Sequence, residues 1–477
     1  MSAPHLPKVA GINSAVPTPA ASSNPATPAM SSASATDAVA DTARSAALPA
    51  PGAVIQDRLA GWVSDLTTLH ELTERLARVG TLDDALHEVL RAGAALVGAP
   101  RGLVVLEPAD GLGPRTTLGL GLSRADLGHI ETVPRAATPH GRLLDSLATA
   151  PGDGGELVQR DLLAHSGLDP RARQVATRLG CAASYARGLA TTTAGRLGAV
   201  VWLYDEPAEP AERHRHLVGL YLRHATEHLA RLLELERGRA SLAAVRDGLL
   251  PSRLPRVPGV RLAARHRSGP HGGGDWYDAL PLPEGALGLS VGSVTGTGPA
   301  AVAAMGRLRA SLRAYAVMEG EDPVAVLSDL ELLLRMTEPV RSATALFAYC
   351  EPVLRRITLA GAGHCPPLVT GERRTEYVET SLSAPLGMLA CWEAPSVELR
   401  TAPGETVLLC TDGLLHRTGE SPDLAYRRLR GIAADIPAAL REDPGAVADH
   451  VLECMLPDGL DHSGGEEDVV LLAVRFD

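Results

Sequence analysis

The segment Leu287–Ala316, LGLSVGSVTGTGPAAVAAMGRLRASLRAYA, constrains the fold of this chain more than any other stretch. Its apolar start predicts a strand, its glycines predict a tight turn, and Pro299 suits the first turn of the helix that follows. Ligands often lie at such turns, because the backbone N–H groups at a helix start are free. Three kinds of site share this local pattern: a nucleotide cradle, a serine nucleophile elbow and a metal-binding turn.

A nucleotide cradle is suggested by residues 296–301, which fit the GxGxxA pattern in front of a helix. A dinucleotide fold needs a parallel strand after that helix, with an acidic residue following it. Here the next segment, DPVAVLSDLELLLRM, has the periodicity of a second amphipathic helix. The βαβ unit is therefore not expected, which argues against a dinucleotide site.

A nucleophile elbow is suggested by residues 288–292, which fit GxSxG with Ser290 in the centre. The serine of such an elbow has to stand at the strand-to-helix turn, so that its hydroxyl is exposed. Ser290 lies within the predicted strand, and the turn comes only at Gly296. We therefore expect a buried or sheet-face hydroxyl at Ser290.

A metal-binding turn is favoured by four segments that each place polar or acidic residues where an apolar strand meets a loop. Acids gathered from separate strand ends hold hard dications such as Mg²⁺ or Mn²⁺. Two such ions can polarise a phosphoryl oxygen and lower the pKa of a bound water. The segments are HGGGDWYDAL (271–280), VGSVTGTG (291–298), VLLCTDGLLHR (407–417) and GGEEDVVLLAVR (464–475).

In this order, and with SATALFAYCEPVLRRITLAGAGHCPPLVTG and APLGM between them, the segments closely resemble the PPM-type protein serine/threonine phosphatases of the bacterial SpoIIE type. The resemblance implies an α+β fold over residues 257–477, an αββα sandwich of two antiparallel sheets with helices outside. It also implies hydrolysis of phosphoserine or phosphothreonine by metal-activated water. The substrate implied is a phosphorylated regulatory protein, an anti-sigma-factor antagonist.

The resemblance assigns the metal-binding residues one by one. The GGDWYD and TDG motifs are intact, so Asp275 and Asp412 take the places of catalytic, metal-binding acids. Val294 would offer its backbone carbonyl, and Glu467 takes the last acidic position with one methylene more than the usual aspartate. Asp468 should then point the opposite way, provided that the strand has begun.

The resemblance fails at two positions of the turn. Ser293 stands where the family has the aspartate that bridges both ions, and Thr297 stands where it has a histidine. Unit charges ~4 Å apart interact by about 4 kcal/mol at an effective dielectric near 20, so the loss of this charge is large. We expect one Mn²⁺ or Mg²⁺ to bind, and a second to bind weakly. Either the enzyme is slow, or the domain is a catalytically inactive pseudophosphatase that binds a partner.

The region before this domain divides into a tail and a second module. Residues 1–55 are rich in Ala, Pro, Ser and Thr, which predicts a disordered tail. The phrases TLDDALHEVLRAGAALVGAPRGLVVLEP and GRLGAVVWLYDEPAEPAERHRHLVGLYLRHATEHLARLLE resemble a GAF domain, an α+β sensor module with an antiparallel sheet. We place it at residues 56–235.

A linker helix is predicted over residues 236–256, ended by Pro251 and Pro255. Its apolar positions continue those of the preceding helix and predict a two-stranded coiled coil, hence a homodimer through the GAF-like domain and linker. The alternative is a helix packed on its own GAF-like domain. The apolar positions are Leu229, Leu232, Leu235, Leu242, Val245 and Leu249.

The composition of the chain argues against some classes of partner and indicates a cellular compartment. A net charge of −11 argues against a nucleic-acid binder, which needs a basic face. No apolar run reaches the ~18 residues of a membrane helix, and no signal peptide is recognisable. The six cysteines form no CxxC pair, so we expect reduced thiols in a cytoplasmic protein.

Overall fold

The computed structural model describes residues 51–112, 116–149, 154–380, 383–389, 392–457 and 467–477. Residues 1–50, most of the predicted tail, lie outside the described residues, and the last five residues of that predicted tail belong to a helix that begins at Pro51. Contacts divide the chain into two compact units, Met1–Val63 and Ser64–Asp477. The domain boundaries predicted at residues 235 and 256 both fall inside the second unit and remain predictions.

The first half of the chain contains one antiparallel sheet, with strands in the order β2-β1-β5-β4-β3. The predicted hairpin of β4 and β5 and the long helix after it are both observed. The assignment to the GAF family stays a prediction. The elements are α1 (Pro51–Ala77), α2 (Leu82–Val97), β1 (Arg101–Leu106), β2 (Thr116–Leu120), α3 (Arg124–Glu131), α4 (Pro139–Thr149), β3 (Glu156–Gln159), α5 (Pro170–Leu179), β4 (Ala183–Thr191), β5 (Gly195–Tyr204) and α6 (Glu212–Leu249).

Helix α6 joins the two halves, and its apolar positions have different neighbours along its length. Leu229 and Leu232 are buried in the core beneath the first sheet. Leu242 and Leu249 pack instead against the core of the second half. Only Leu235 and Val245 remain exposed, at 56% and 58%. The predicted coiled-coil stripe is thus used mostly within the chain, and its first part packs on its own domain, the alternative stated above.

The second half contains two five-stranded antiparallel sheets, in the orders β13-β10-β9-β8-β7 and β12-β11-β14-β15-β6. The elements are β6 (Val260–Arg267), β7 (Gly273–Pro281), β8 (Leu287–Thr297), α7 (Pro299–Glu319), α8 (Pro323–Thr337), β9 (Ala343–Glu351), β10 (Arg356–Ala362), β11 (Leu368–Thr370), β12 (Thr375–Tyr377), β13 (Val397–Arg400), β14 (Thr406–Cys410), α9 (Gly413–His416), α10 (Pro422–Ala434), α11 (Pro444–Met455) and β15 (Val469–Phe476).

The two sheets pack face to face and are covered by helices. Alternate side chains of β8 and β15, such as Leu289 and Leu472, share one buried core between the sheets. The outer face of the β8 sheet packs against α7 and α8, and that of the β15 sheet packs against α9, α10 and α11. This is the αββα order of layers that the resemblance implies.

The structure also decides between the three interpretations of the turn. After α7 and α8 the chain returns as β9, which pairs antiparallel with β8, so the βαβ unit of a dinucleotide site is absent from residues 287–351. Ser290 lies in the middle of β8 and is 1% exposed, as expected for a core hydroxyl. Only the metal-turn interpretation remains. None of the helices in the described ranges combines the length and apolar character needed to cross a bilayer.

Tight packing fixes the strand that carries the turn. Gly292 of β8 lies opposite Trp276 of β7, and a methyl group at Gly292 would lie 2.3 Å from the Trp276 ring and 2.6 Å from the Thr344 carbonyl oxygen. We predict that Gly292→Ala lowers the free energy of unfolding by about 1–3 kcal/mol, since neither the ring nor the backbone can move freely.

The matched control is Gly431→Ala in α10, where no atom lies within 4 Å of the added methyl. A helical glycine replaced by alanine at such a site should be neutral or stabilising by about 0.5–1 kcal/mol. Chemical unfolding followed by circular dichroism measures both shifts. Equal effects of the two substitutions would contradict the packing argument.

Candidate functional site

One cleft of about 540 Å³ brings together every residue predicted for the metal centre. It lies where β8 and β14 end and where β7 and β15 begin, at one edge of the sandwich. The predicted residues around it come from four distant segments of the chain, as expected for acids collected from strand ends. They are Asp275, Ser293, Val294, Asp412 and Glu467.

Asp275 is a buried acid of the cleft. It lies on β7 opposite Ser293 of β8, and its side chain accepts hydrogen bonds from Ser293 and Thr411. Its Oδ2 atom is buried without a partner. Burial, and then the charge of Asp468, raise the pKa of Asp275 well above its usual range, although the two hydroxyl donors oppose this. A carboxylate in this state requires a proton or a cation.

The turn at the end of β8 has the tight backbone conformation that its glycines predict. The side chain at its ligand position, however, is neutral. Gly296 and Gly298 have φ of 98° and 81°, which side-chain-bearing residues rarely adopt. The Val294 carbonyl lies so close to β7 that a methyl at Gly274 would be 2.6 Å from it. The Ser293 hydroxyl, hydrogen-bonded to Asp275, stands at the place where the resemblance calls for a carboxylate.

Asp412 is the second residue after β14 and directly precedes the single turn of α9. Its half-buried side chain faces the same cleft as Asp275. The next residue has to be glycine, because a Cβ at Gly413 would lie 1.9 Å from the Asp468 carbonyl oxygen. This close approach brings the start of α9 against the loop before β15, so it places Asp412 beside the last acidic pair.

The side chains of Glu467 and Asp468 lie in different surroundings, one exposed at the rim of the cleft and the other buried inside it. The Glu467 carboxylate is exposed at the rim, 2.8 Å from Nδ1 of His416. Asp468 is buried beside Asp275, and its Oδ1 accepts hydrogen bonds from the amides of Gly269 and Gly273. The condition for the expected opposite direction of Asp468 is not met, because β15 begins only at Val469 and the alternation of a strand does not yet apply.

Asp468 also carries an unsatisfied oxygen. Its Oδ2 atom is buried without a partner, and the nearest basic atom, Nε2 of His266, is 3.8 Å away, beyond hydrogen-bond distance. The cleft therefore holds two buried carboxylates, Asp275 and Asp468, each with one orphaned oxygen. Two such groups together form an electronegative pocket that suits a hard cation.

Two basic residues of the cleft were missed from the sequence. Partial burial lowers the pKa of His416, but its hydrogen bond to Glu467 and the charges of Glu467 and Asp412 together outweigh this, and the net pKa is raised. Arg417 is buried and donates from Nε to the Glu467 carbonyl at 2.8 Å. The signal was present, because His416 lies four residues after Asp412 at the start of a helix and so on the same face.

The cleft is not a preformed metal cage. Across the ranges that the structure describes, no group of three or more His, Cys, Asp and Glu side chains is arranged to hold a metal ion. The contacts explain why: the Ser293 hydroxyl bonds to Asp275, and Glu467 is turned to His416. The unpartnered oxygens of Asp275 and Asp468 are donors of the kind that a hard cation prefers, whereas Ser293 is neutral.

The family model described as "Stage II sporulation protein E (SpoIIE)" matches residues 283–477. Residues 283–477 form a SpoIIE-family domain. The SpoIIE-family domain is a PPM-type phosphatase domain and includes Ser293, Val294, Asp412 and Glu467, whereas Asp275 precedes the matched residues. No curated protein sequence matches the chain significantly.

Several solved structures resemble this chain in part. The RsbU and RsbW domains of a Mycobacterium tuberculosis protein are 30% identical, with a TM-score of 0.43, over 48% of this chain and 63% of that one. The phosphatase domain of Bacillus subtilis SpoIIE, with a fragment of its regulatory domain, is 19% identical, with a TM-score of 0.37, over 46% and 64%. RsbX in complex with magnesium is 13% identical, with a TM-score of 0.36, over 47% and 99%. The chain thus spans less than two thirds of the first two.

The repulsion between the buried carboxyl groups of Asp275 and Asp468 can be tested by its effect on stability. We predict that Asp275→Asn raises the free energy of unfolding of the metal-free protein by about 1 kcal/mol or more, because an amide removes the repulsion and can donate to Asp468. A raised folded pKa means that the wild type loses stability as the pH rises above the ordinary carboxyl pKa, and the variant should lack this loss.

The comparison is made with chelator present, from pH 5 to pH 8, by thermal unfolding. Asp412→Asn is the control, since Asp412 is only half buried and should change the free energy by less than about 0.5 kcal/mol. Destabilisation by Asp275→Asn at neutral pH would show that the Asp275–Asp468 repulsion is not significant.

Proposed function

We propose that residues 257–477 form a metal-dependent protein serine/threonine phosphatase whose activity is reduced by Ser293. The observation that carries the proposal is the buried, unpartnered Oδ2 of Asp275, which faces Asp468 in the cleft that also holds Asp412. Such an arrangement costs stability unless a cation compensates it. The match of residues 283–477 to the SpoIIE family supplies the reaction class.

The residues proposed to hold the ion are Asp275, Asp412, Glu467 and the Val294 carbonyl. All four line the cleft and offer only oxygen ligands, which Mg²⁺ and Mn²⁺ prefer. When bound, the ion would supply a Lewis acid for the phosphoryl oxygen and for a water. Glu467 has to leave His416 to reach it, a change of side-chain direction only. With Ser293 in place of a carboxylate, a second ion would bind weakly.

The chain's own groups have separate roles in this proposal. The Ser293 and Thr411 hydroxyls orient the Asp275 carboxylate by hydrogen bonds. The Arg417 guanidinium fixes the backbone of Glu467, and so the loop that carries both late acids. His416, whose raised pKa favours its protonated form, adds positive charge at the rim, where a phosphate group would enter.

A second candidate function is a pseudophosphatase that binds its partner without hydrolysing it. It is favoured by Ser293 and by the lack of a preformed three-ligand group in the described part of the cleft. Both candidates share the partner that the resemblance implies, a phosphorylated regulatory protein such as an anti-sigma-factor antagonist. The cytoplasm, where such partners occur, is the proposed location.

Measuring the hydrolysis of a phosphopeptide distinguishes the phosphatase from the pseudophosphatase. With Mn²⁺ and a phosphoserine peptide, we expect slow wild-type hydrolysis, no hydrolysis by Asp412→Ala, and at least about tenfold faster hydrolysis by Ser293→Asp, which restores the missing charge. Asp423→Ala, an exposed acid on α10 away from the cleft, is the control and should match the wild type.

The other outcomes are equally informative. An inactive wild type together with an active Ser293→Asp would establish the pseudophosphatase. If neither protein hydrolyses the peptide and neither binds Mn²⁺ by calorimetry, the assigned ligand set is wrong. Activity that survives Asp412→Ala would also exclude it.

We propose further that the first half of the chain regulates this cleft through α6, as a GAF-like sensor would. Leu242 lies against Gly272, and Leu249 lies against Gly306 of α7. Gly272 in turn accepts a hydrogen bond from the Gly298 amide at the metal turn, 2.6 Å away. The last part of α6 thus contacts Gly272, which belongs to the loop that binds Asp468 and is hydrogen-bonded to the metal turn.

Arg309 of α7 provides a second connection. Its guanidinium donates to the Leu249 carbonyl at the end of α6 and pairs with the buried Asp278 at 3.0 Å. Asp278 lies three residues after Asp275 on β7. The exposed Leu235 and Val245 are the positions left on α6 for a second copy, so we keep a homodimer through this helix as part of the proposal.

The connection predicts a local effect. Arg309→Met should raise amide hydrogen exchange at residues 246–253 by about tenfold or more, because the end of α6 loses its bond to α7. Arg313→Met is the matched control, since Arg313 also faces Asp278, at 3.4 Å, but leaves the Leu249 carbonyl bonded. An equal rise in both variants would attribute the effect to Asp278 alone and contradict the connection.

A further inference from the structure

A second cleft, of about 450 Å³, adjoins the candidate metal centre. Asp412 lines both clefts, so the two share one wall. The other walls of the second cleft come from the segment after β10, the segment after β12 and Tyr426 of α10. Asp412 is the one member of the proposed ligand set among the described residues of this wall. A molecule bound at the first cleft can therefore extend into the second without displacing the remaining ion ligands.

The wall of the second cleft contains a hydrogen-bond acceptor that has no donor. Nδ1 of His364 lies 2.9 Å from the Cys365 carbonyl oxygen, and because a carbonyl only accepts, Nδ1 carries the proton and donates. Nε2, the other ring nitrogen of His364, is buried without a partner. In the neutral ring this nitrogen holds a lone pair. A buried acceptor without a donor is destabilising, so it indicates a ligand that carries an N–H group.

The charged groups at this wall are carboxylates. Glu379 lies exposed, two residues after β12, and Asp412 is half-buried. Among the described residues Glu379 has no ion pair, and no Lys or Arg lines the cleft there. Negative charge beside an unused acceptor disfavours an anion and favours a cation that donates hydrogen bonds. Tyr426 adds an aromatic ring, a kind of surface that also attracts cations.

The backbone on one side of the second cleft is fixed by the fold. The Gly363 amide donates to the Ser383 carbonyl at 3.1 Å, and the Ser383 hydroxyl donates to the Gly361 carbonyl. Gly363 has φ of 59°, and a methyl group there would lie 2.5 Å from the Pro385 ring. The segment that carries His364 is thus held in place before any ligand binds, which favours selective binding.

We propose that the second cleft binds a basic side chain, lysine or arginine, that flanks the phosphorylated residue of the partner protein. This inference rests on the proposed function and adds a sequence preference to it. The phosphate enters the first cleft, while the cation donates to Nε2 of His364 and pairs with Glu379. Because the clefts share Asp412 and an extended chain advances about 3.3 Å per residue, the basic residue lies within about two positions of the phosphorylated one.

The test measures peptide binding to the full chain with Mn²⁺ present, by fluorescence anisotropy. The peptides carry a phosphonate analogue of phosphoserine, whose C–P bond is not hydrolysed, so binding is read without turnover. One neighbouring position at a time, from two before to two after the phosphonate, holds either lysine or norleucine, which has a similar length but no charge. We expect lysine at one of these positions to tighten binding about fivefold or more relative to norleucine.

Variants of the wall test the two residues that are proposed to set this preference. Glu379→Gln should reduce it to less than about twofold, because the charge is lost. His364→Asn keeps a donor for the Cys365 carbonyl but removes Nε2, and should have a similar effect. His364→Gln places an amide oxygen near the position of Nε2 and should restore most of the preference. Glu372→Gln is the matched control, since Glu372 is an exposed acid between β11 and β12 that does not line the cleft.

The wild-type comparison is decisive even if a variant folds poorly. Equal affinity for lysine and norleucine at all four positions would overturn the subsite, and so would a preference that Glu372→Gln removes as fully as Glu379→Gln. Peptides with plain serine in place of the phosphonate test the proposed function separately. A lysine preference that persists while the phosphonate adds no affinity would support the subsite and contradict the proposed function. A phosphonate effect without a lysine preference would do the reverse.

Discussion

The buried carboxylates of Asp275 and Asp468, each with an oxygen that has no partner, are the constraint on which the site depends. An isolated buried charge lowers the stability of the fold, and neighbouring polar groups offset part of this effect. Hydroxyls from Ser293 and Thr411 reach Asp275, and amides of the 269–273 loop reach Asp468. These contacts orient both acids but do not satisfy the second oxygen of either one, so the pair still requires a proton or a cation at the edge of the sandwich.

The side chain of Ser293 is the feature on which the two proposed functions, phosphatase and pseudophosphatase, differ. A third carboxylate on β8 would complete a centre for two dications, whereas the Ser293 hydroxyl donates to Asp275 and satisfies part of the demand for charge. Glu467 pairs with His416 at the rim. The sandwich is therefore intact, while the β8 position opposite Asp275 carries a neutral side chain.

The sandwich and the elements within it could be predicted because local patterns agree with tertiary packing. The apolar alternation of β8, the proline that opens α7 and the glycines of the turn all specify the same structure. The apolar stripe of α6 could not be assigned in this way. Its spacing is satisfied equally by a second helix, by its own domain or by the next domain, and only the folded chain shows that most of it is used internally.

By itself, the sequence determined which residues converge: Asp275, Ser293, Val294, Asp412 and Glu467 all reach one cleft. Motif order was sufficient for this, because strand ends at one edge of a sandwich are necessarily close. The directions of Glu467 and Asp468 were decided only by the tertiary structure. Both residues precede the start of β15, where no side-chain period applies and long-range contacts alone select each side chain's neighbours.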